Sequence, residues 1–130
     1  SAVIVGIGNL GSALAHYGGF KEKGFGIVGL FDADPKKINS QVAGLVIKPL
    51  SDLERYCEKF NVAIGIIATP GQYAQEVAND LINCGVRSIL NFAPVLLKNN
   101  PDVQIRSVDL SQELQILSYY LDRPVLKAVD

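Results

Sequence analysis

Residues 2–14 read Ala2-Val3-Ile4-Val5-Gly6-Ile7-Gly8-Asn9-Leu10-Gly11-Ser12-Ala13-Leu14, and this stretch decides the fold. Four successive apolar residues form a buried strand. A GxGxxG loop follows directly, then residues compatible with a helix. A second apolar run closes with Phe31-Asp32, and Asp32 lies 21 positions beyond Gly11. Strand, glycine loop, helix, strand and terminal acid make the layout of a dinucleotide site. Gly6 allows the tight turn, Gly8 lets a pyrophosphate approach the backbone, and Gly11 lets helix and strand pack closely. The loop residues Ile7, Asn9 and Leu10 complete a cradle whose free N–H groups, at the helix start, suit a diphosphate. Asp32 can accept both ribose hydroxyls of an adenosine and would repel a 2′-phosphate, which favours NAD(H) over its phosphorylated form. Ala33 stands beside it. Asp34 is expected to act as a cap; Lys36 and Lys37 could hold a 2′-phosphate, but are expected to face water.

The bulk properties narrow the class. A chain of 130 residues suits one domain, and a hydrophobic content of 48% argues against disorder. The net charge is −1, and scattered lysines and arginines leave no electrostatic footprint for nucleic acid in this segment. No apolar run approaches the roughly 18 residues of a membrane helix, and no signal peptide is visible, so no membrane partner is expected. Cys57 and Cys84 are too few for a disulfide framework, which makes a cytoplasmic location the expectation. The absence of methionine and a start inside a strand lead us to expect a piece of a longer protein, with a segment preceding Ser1.

Strand and helix patterns alternate along the chain. The expected fold class is α/β: a Rossmann-type, doubly wound, mostly parallel sheet covered on both faces, with a C-terminal helix. Strands are predicted at residues 2–7, 25–31, 43–47, 62–68, 86–90 and 103–108, and the first helix over residues 10–18. Ser51-Asp52-Leu53-Glu54 reads as a capping box. The helix it opens places Leu53, Tyr56, Cys57 and Phe60 on one face. Thr69-Pro70-Gly71-Gln72 reads as a cap, a proline at the first helical position and a glutamine at the third. Gly85 marks the stop of that helix.

Two further segments sit where open α/β sheets bind ligands, at the carboxyl ends of strands: Thr69-Pro70, and Asn91-Phe92-Ala93-Pro94. Phe92 could pack on a nicotinamide or plug the core. His16, the single histidine, falls off the apolar face of its helix. No metal-ligand cluster, Tyr-x-x-x-Lys pair, His–Asp partner or nucleophile elbow is visible, so no catalytic residue is assigned. A well-supplied cofactor site without an acid or base favours sensing the dinucleotide over turning it over.

The last predicted helix, residues 110–121, carries Leu110, Leu114, Leu117 and Leu121 at i, i+4, i+7 and i+11. Ile116, Tyr119 and Tyr120 make the rest of its surface apolar. A helix apolar on more than one side needs burial on more than one side, which points to a homodimer formed through it, by exchange between subunits. Residues 1–109 are therefore expected to be the NAD(H)-binding domain and 110–130 a dimerisation helix and tail.

Taken together, these residues resemble the C-terminal domain of the Rex family of bacterial redox-sensing transcriptional repressors. The resemblance runs through Gly6 to Leu14, Tyr17-Gly18-Gly19-Phe20, Phe31-Asp32-Ala33-Asp34-Pro35, and Thr69-Pro70 with Ala74-Gln75. It continues through Ile89-Leu90-Asn91-Phe92-Ala93-Pro94-Val95 and Val108-Asp109-Leu110, spanning nearly the whole chain. It implies a homodimer that binds NADH and NAD⁺ competitively. It implies an N-terminal winged-helix domain that binds operator DNA and is released by NADH, and a C-terminal helix exchanged between subunits. It also implies that Tyr17 and Asp109, from different subunits, form a polar contact that responds to the nicotinamide charge. Where some members carry an aromatic after the aspartate, this chain has Leu110, an apolar cover without a ring. Two other readings stay open: the cofactor domain of a truncated NAD-dependent dehydrogenase, and a CoA-binding domain of the succinyl-CoA synthetase type.

Overall fold

The computed structural model describes residues 1–109. The final helix, with Leu110, Leu114, Leu117, Tyr120 and Leu121, and the subunit exchange expected of it, lie outside the described residues. Seven strands form one sheet in the order β3-β4-β2-β1-β5-β6-β7. They are β1 (Ala2–Val5), β2 (Ile27–Asp32), β3 (Gln41–Val42), β4 (Leu45–Pro49), β5 (Ile64–Ile67), β6 (Ser88–Asn91) and β7 (Gln104–Ser107). Every pair is parallel except β3 with β4. From β1 the chain moves outward to β2 and β4, then returns to β5 on the other side of β1. That reversal is a topological switch point, and it puts a crevice beyond the carboxyl ends of β1 and β5.

Helices α1 (Asn9–His16), α2 (Gly19–Glu22), α3 (Leu53–Phe60) and α4 (Gly71–Asn83) cover the sheet. The central strands are apolar on both faces because both faces carry core. On one face Val3, Val5, Phe31 and Ile67 meet Leu53 and Cys57 of α3 and Ala74, Val77, Ala78 and Leu81 of α4. On the other, Ile4, Leu30, Ile47 and Ile66 meet Ile7, with Leu14 of α1 and Phe20 of α2 against them. Full burial of one such aliphatic side chain stabilises by about 1.5–3 kcal/mol. The connection from β6 to β7 contains no helix, so among the described residues the α1 side is thinly covered over β5 and β6.

Several local expectations are corrected. The first helix ends at His16, and the short α2 follows it. The third predicted strand is a hairpin, β3 and β4, turned by Ala43 and Gly44 with φ of 52° and 80°. Both turn residues are left-handed, as a two-residue hairpin twisting with its strands requires. The capping box does not form. A 3-10 turn at Leu50–Asp52 precedes α3, no side chain caps that helix, and Asp52 pairs instead with Arg55 at 3.1 Å. Thr69 does not cap α4, because the N-cap position falls one residue later, on Pro70. Gly85, with φ of 96°, does follow the end of that helix. No helix among the described residues is long and apolar enough to cross a membrane.

Candidate dinucleotide site

The glycine loop is shaped by contacts that leave no room for side chains. Gly6 has φ of 99°, and a Cβ there would stand 2.7 Å from the Ala68 carbonyl carbon and the Thr69 nitrogen. Its own N–H donates to the Phe31 carbonyl at 2.8 Å, tying the turn to β2. A Cβ on Gly11 would collide with the Gly6 carbonyl oxygen, so this glycine sets how closely α1 meets the end of β1. Gly8 differs, because its open side faces the cleft. As the N-cap of α1 it has no side-chain cap bond, and the helix carries no acid in its first turn. The Ser12 N–H closes the first turn on the Gly8 carbonyl at 2.9 Å, so the N–H groups of Asn9, Leu10 and Gly11 precede the first intrahelical bond.

Asp32 ends β2 beside this loop. Its Oδ2 accepts the Ile7 N–H at 2.7 Å, and its Oδ1 accepts the Asp34 N–H at 2.8 Å. The carboxylate is thus fixed before any ligand arrives. Each oxygen keeps a further lone pair, so it can still accept ribose hydroxyls. Asp34 Oδ1 in turn accepts the Lys36 N–H at 2.9 Å, which caps the following turn as expected.

A cleft of about 770 Å³ opens at the carboxyl ends of β1, β2 and β5. Of the residues expected at a cofactor, Gly6, Gly8, Asn9, Leu10, Asp32, Ala33, Thr69 and Pro70 line it. Ile7 is buried beneath the loop, and Gly11 acts through packing. The Thr69 hydroxyl is buried and has no hydrogen-bond partner. A buried hydroxyl without a partner costs about 1–3 kcal/mol, which a bound polar group would recover. This hydroxyl, the open side of Gly8 and the pre-set Asp32 carboxylate together fit an adenosine diphosphate. Sequence reasoning missed the opposite wall, where Tyr73, Glu76, Val77 and Asp80 of α4 line the cleft, and it placed Lys37 in water although Lys37 lines the cleft too. The i, i+3, i+7 spacing of Tyr73, Glu76 and Asp80 beside a buried stripe was the available signal.

The loop after β6 lies outside this cleft. Asn91 is fully buried, and its amide is engaged on both sides. Nδ2 donates to the Val95 carbonyl at 2.9 Å and contacts Ser107 Oγ at 3.4 Å, while Oδ1 accepts the Ala93 N–H at 3.0 Å. Asn91 therefore shapes the loop. Ala93 is buried, Phe92 packs against the Ile66 side of the sheet, and Pro94 is exposed. Tyr17 stands at the far end of α1, about 14 Å along the helix from Gly8. It is 57% exposed, edge-on to Phe20 at 5.0 Å between ring centroids. Tyr17 lines a second, apolar cavity of about 430 Å³ with Phe20, Phe25, Ile27, Ile64 and Leu90. Asp109 follows β7 and is exposed. Cys57 is buried, and desolvation, reinforced by the neighbouring Cys84 thiol, raises its pKa to about 11. Both thiols belong to the core packing. Among the described residues no cluster could hold a metal ion.

Comparison with known proteins adds to this geometry. The family described as CoA binding domain matches residues 1–95. The redox-sensing transcriptional repressor Rex of Desulfitobacterium hafniense is 48% identical over 119 residues, covering 92% of this chain and 57% of the relative. Rex of Streptomyces coelicolor is 50% identical over 121 residues, covering 93% and 47%. This chain spans about half the length of these curated relatives. Among solved structures, RSP, a Rex-family repressor, superposes with a TM-score of 0.83. Its complex with beta-NADH is 32% identical, covering 99% of this chain and 63% of that one. Its complex with beta-NAD⁺ and operator DNA is 33% identical, covering 98% and 58%.

Proposed function

This chain belongs to the CoA binding domain family, and within it we propose that it is the NAD(H)-binding, redox-sensing and dimerising part of a cytoplasmic transcriptional repressor. The observation that carries the reading is Asp32. Its carboxylate is locked by two backbone N–H groups at the cleft wall, where it can accept an unphosphorylated ribose diol. The 3′-phosphate of coenzyme A would meet that carboxylate unfavourably, so NADH and NAD⁺ are the ligands we assign despite the family's description. The adenosine ribose is held by Asp32 with Ala33 beside it. The diphosphate rests on the loop from Gly6 to Gly11, where Gly8, Asn9 and Leu10 face it and Gly6, Ile7 and Gly11 hold the loop in shape beneath. Thr69 and Pro70 close the middle, and the loop after β6, held in shape by Asn91, flanks the nicotinamide end with Phe92, Ala93 and Pro94.

NAD⁺ supplies a cationic nicotinamide ring and NADH a neutral one. A nearby carboxylate, Asp109 facing Tyr17 of a second copy, separates the two electrostatically. The chain acts as a homodimer, and a second copy covers the apolar cavity around Tyr17, Phe20 and Phe25. Operator DNA is bound through a winged-helix segment outside this chain, and NADH releases it. We read the chain as a sensor and not an enzyme, because the relatives it matches are transcriptional repressors. Titration of the chain with NADH and NAD⁺ tests this. Mutually exclusive binding with tighter NADH is expected. Equal affinities would leave the ligand unable to shift any equilibrium with redox state.

A further inference from the structure

The charge in the cleft is unevenly placed. Asp32, Asp34, Glu76 and Asp80 bring four carboxylates to its lining, and Lys37 brings the single ammonium. A ligand carrying a diphosphate enters this surface against repulsion unless a cation meets it. Lys37 is half-buried. Its Nζ lies 3.9 Å from where a Cβ on Gly8 would stand, and apart from chain neighbours no other atom comes within 4 Å of that point. The ammonium therefore hangs beside the space that Gly8 leaves open, in the cleft that Asn9 and Leu10 at the start of α1 also line. Among the described residues no carboxylate forms an ion pair with it, although Asp32 and Asp34 are close in sequence. The turn explains why. The carbonyl of Asp34 accepts the Lys37 N–H at 3.0 Å, and the Asp32 and Asp34 carboxylates are turned toward the backbone N–H groups of Ile7, Asp34 and Lys36, more than 4 Å from the ammonium. A half-buried ammonium without a counter-ion, next to a glycine with an open side, is a cation awaiting an anion.

We propose that Lys37 is the diphosphate-pairing residue of this site: its ammonium closes over the ligand's phosphates at Gly8 and neutralises them within an otherwise acidic cleft. The inference rests on the dinucleotide reading above and deepens it. It assigns the phosphate contact to a side chain in addition to the backbone cradle. Because NADH and NAD⁺ carry the same diphosphate, Lys37 sets the affinity of both and leaves their ratio unchanged.

The test is calorimetric titration of the wild-type chain, Lys37→Gln and Lys37→Arg with adenosine, ADP, NADH and NAD⁺ at low and high salt. Lys37→Gln is expected to weaken ADP, NADH and NAD⁺ by about tenfold or more at low salt, the loss shrinking as salt rises. Adenosine affinity should hold, and Lys37→Arg should restore most of the ADP affinity. Equal weakening of adenosine and ADP would assign Lys37 to the shape of the turn and overturn the proposal, as would unchanged ADP binding. A Lys37 effect on ADP together with equal wild-type affinities for NADH and NAD⁺ would keep this inference and discard redox sensing. A wild type that binds none of the four ligands would discard both.

Discussion

The two ends of one sheet are built to opposite specifications. At the carboxyl ends of the strands, the cleft is polar and tightly specified. Gly6 and Gly11 admit no side chain, Asp32 is locked by two N–H groups, and one hydroxyl, that of Thr69, waits without a partner. Toward the amino ends, on the α1 side, the cavity around Phe20, Phe25, Ile64 and Leu90 is apolar and open, with Tyr17 and Phe25 at its rim. The first end is suited to a small ligand with directed hydrogen bonds. The second is suited to another protein surface, where burial is non-directional and the gain grows with area. The proposed sensing role uses both, and a ligand site and a contact surface built on one rigid element are readily coupled. Here that element is the sheet together with α1, whose first residue borders the cleft and whose C-cap, Tyr17, borders the cavity.

Substitutions can separate the two ends. The largest effect is expected from Gly6→Ala. A Cβ 2.7 Å from backbone atoms of Ala68 and Thr69, on a residue with φ of 99°, should cost about 3 kcal/mol or more of stability in urea denaturation, and NADH binding should be lost with it. Retained stability would mean that the loop has slack the contacts do not show. Asp32→Ala should weaken NADH by about 1.5–3 kcal/mol, measured by titration, through loss of charge-assisted hydrogen bonds to ribose. It should leave the sedimentation of the chain unchanged. Phe25→Glu is the converse. Placing a charge at the apolar rim should shift sedimentation toward monomer, while NADH affinity per chain stays within about twofold of wild type. A Phe25→Glu chain that lost nucleotide instead would contradict the division of labour.

The smallest effect concerns the side of the sheet that neither end uses. Cys57 ionises near pH 11 when folded, against 9.0 for the exposed thiol. The unfolded chain therefore gives up this proton first. Its contribution to stability should be level below pH 9 and fall between pH 9 and 11. Urea midpoints measured across that window should decline less in Cys57→Ala than in wild type. Near neutral pH a thiol reagent should label Cys57 slowly until the chain is unfolded.

The glycine loop and Asp32 were legible in the sequence because their chemistry demands particular residue types at a fixed spacing. Parallel order was legible because the strands are apolar on both faces. What was not legible depends on packing. Ala43-Gly44 lacks the Asn-Gly signature of its turn, so the β3–β4 hairpin was hidden. Pro70 displaced the helix start by one residue, which turned Thr69 from an expected cap into an unpaired hydroxyl. Asn91 carries the composition of a ligand contact, yet its amide is consumed inside its own loop. Lys37 looks in sequence like any lysine in a polar turn, and only the fold of that turn brings its head group over Gly8.

The most direct test of the whole account is a crystal structure of this chain grown with NADH. The diphosphate should lie over Gly6 to Gly11, with the adenosine ribose hydroxyls on the Asp32 carboxylate. A nucleotide bound elsewhere, or a cleft that stays empty at saturating NADH, would contradict it.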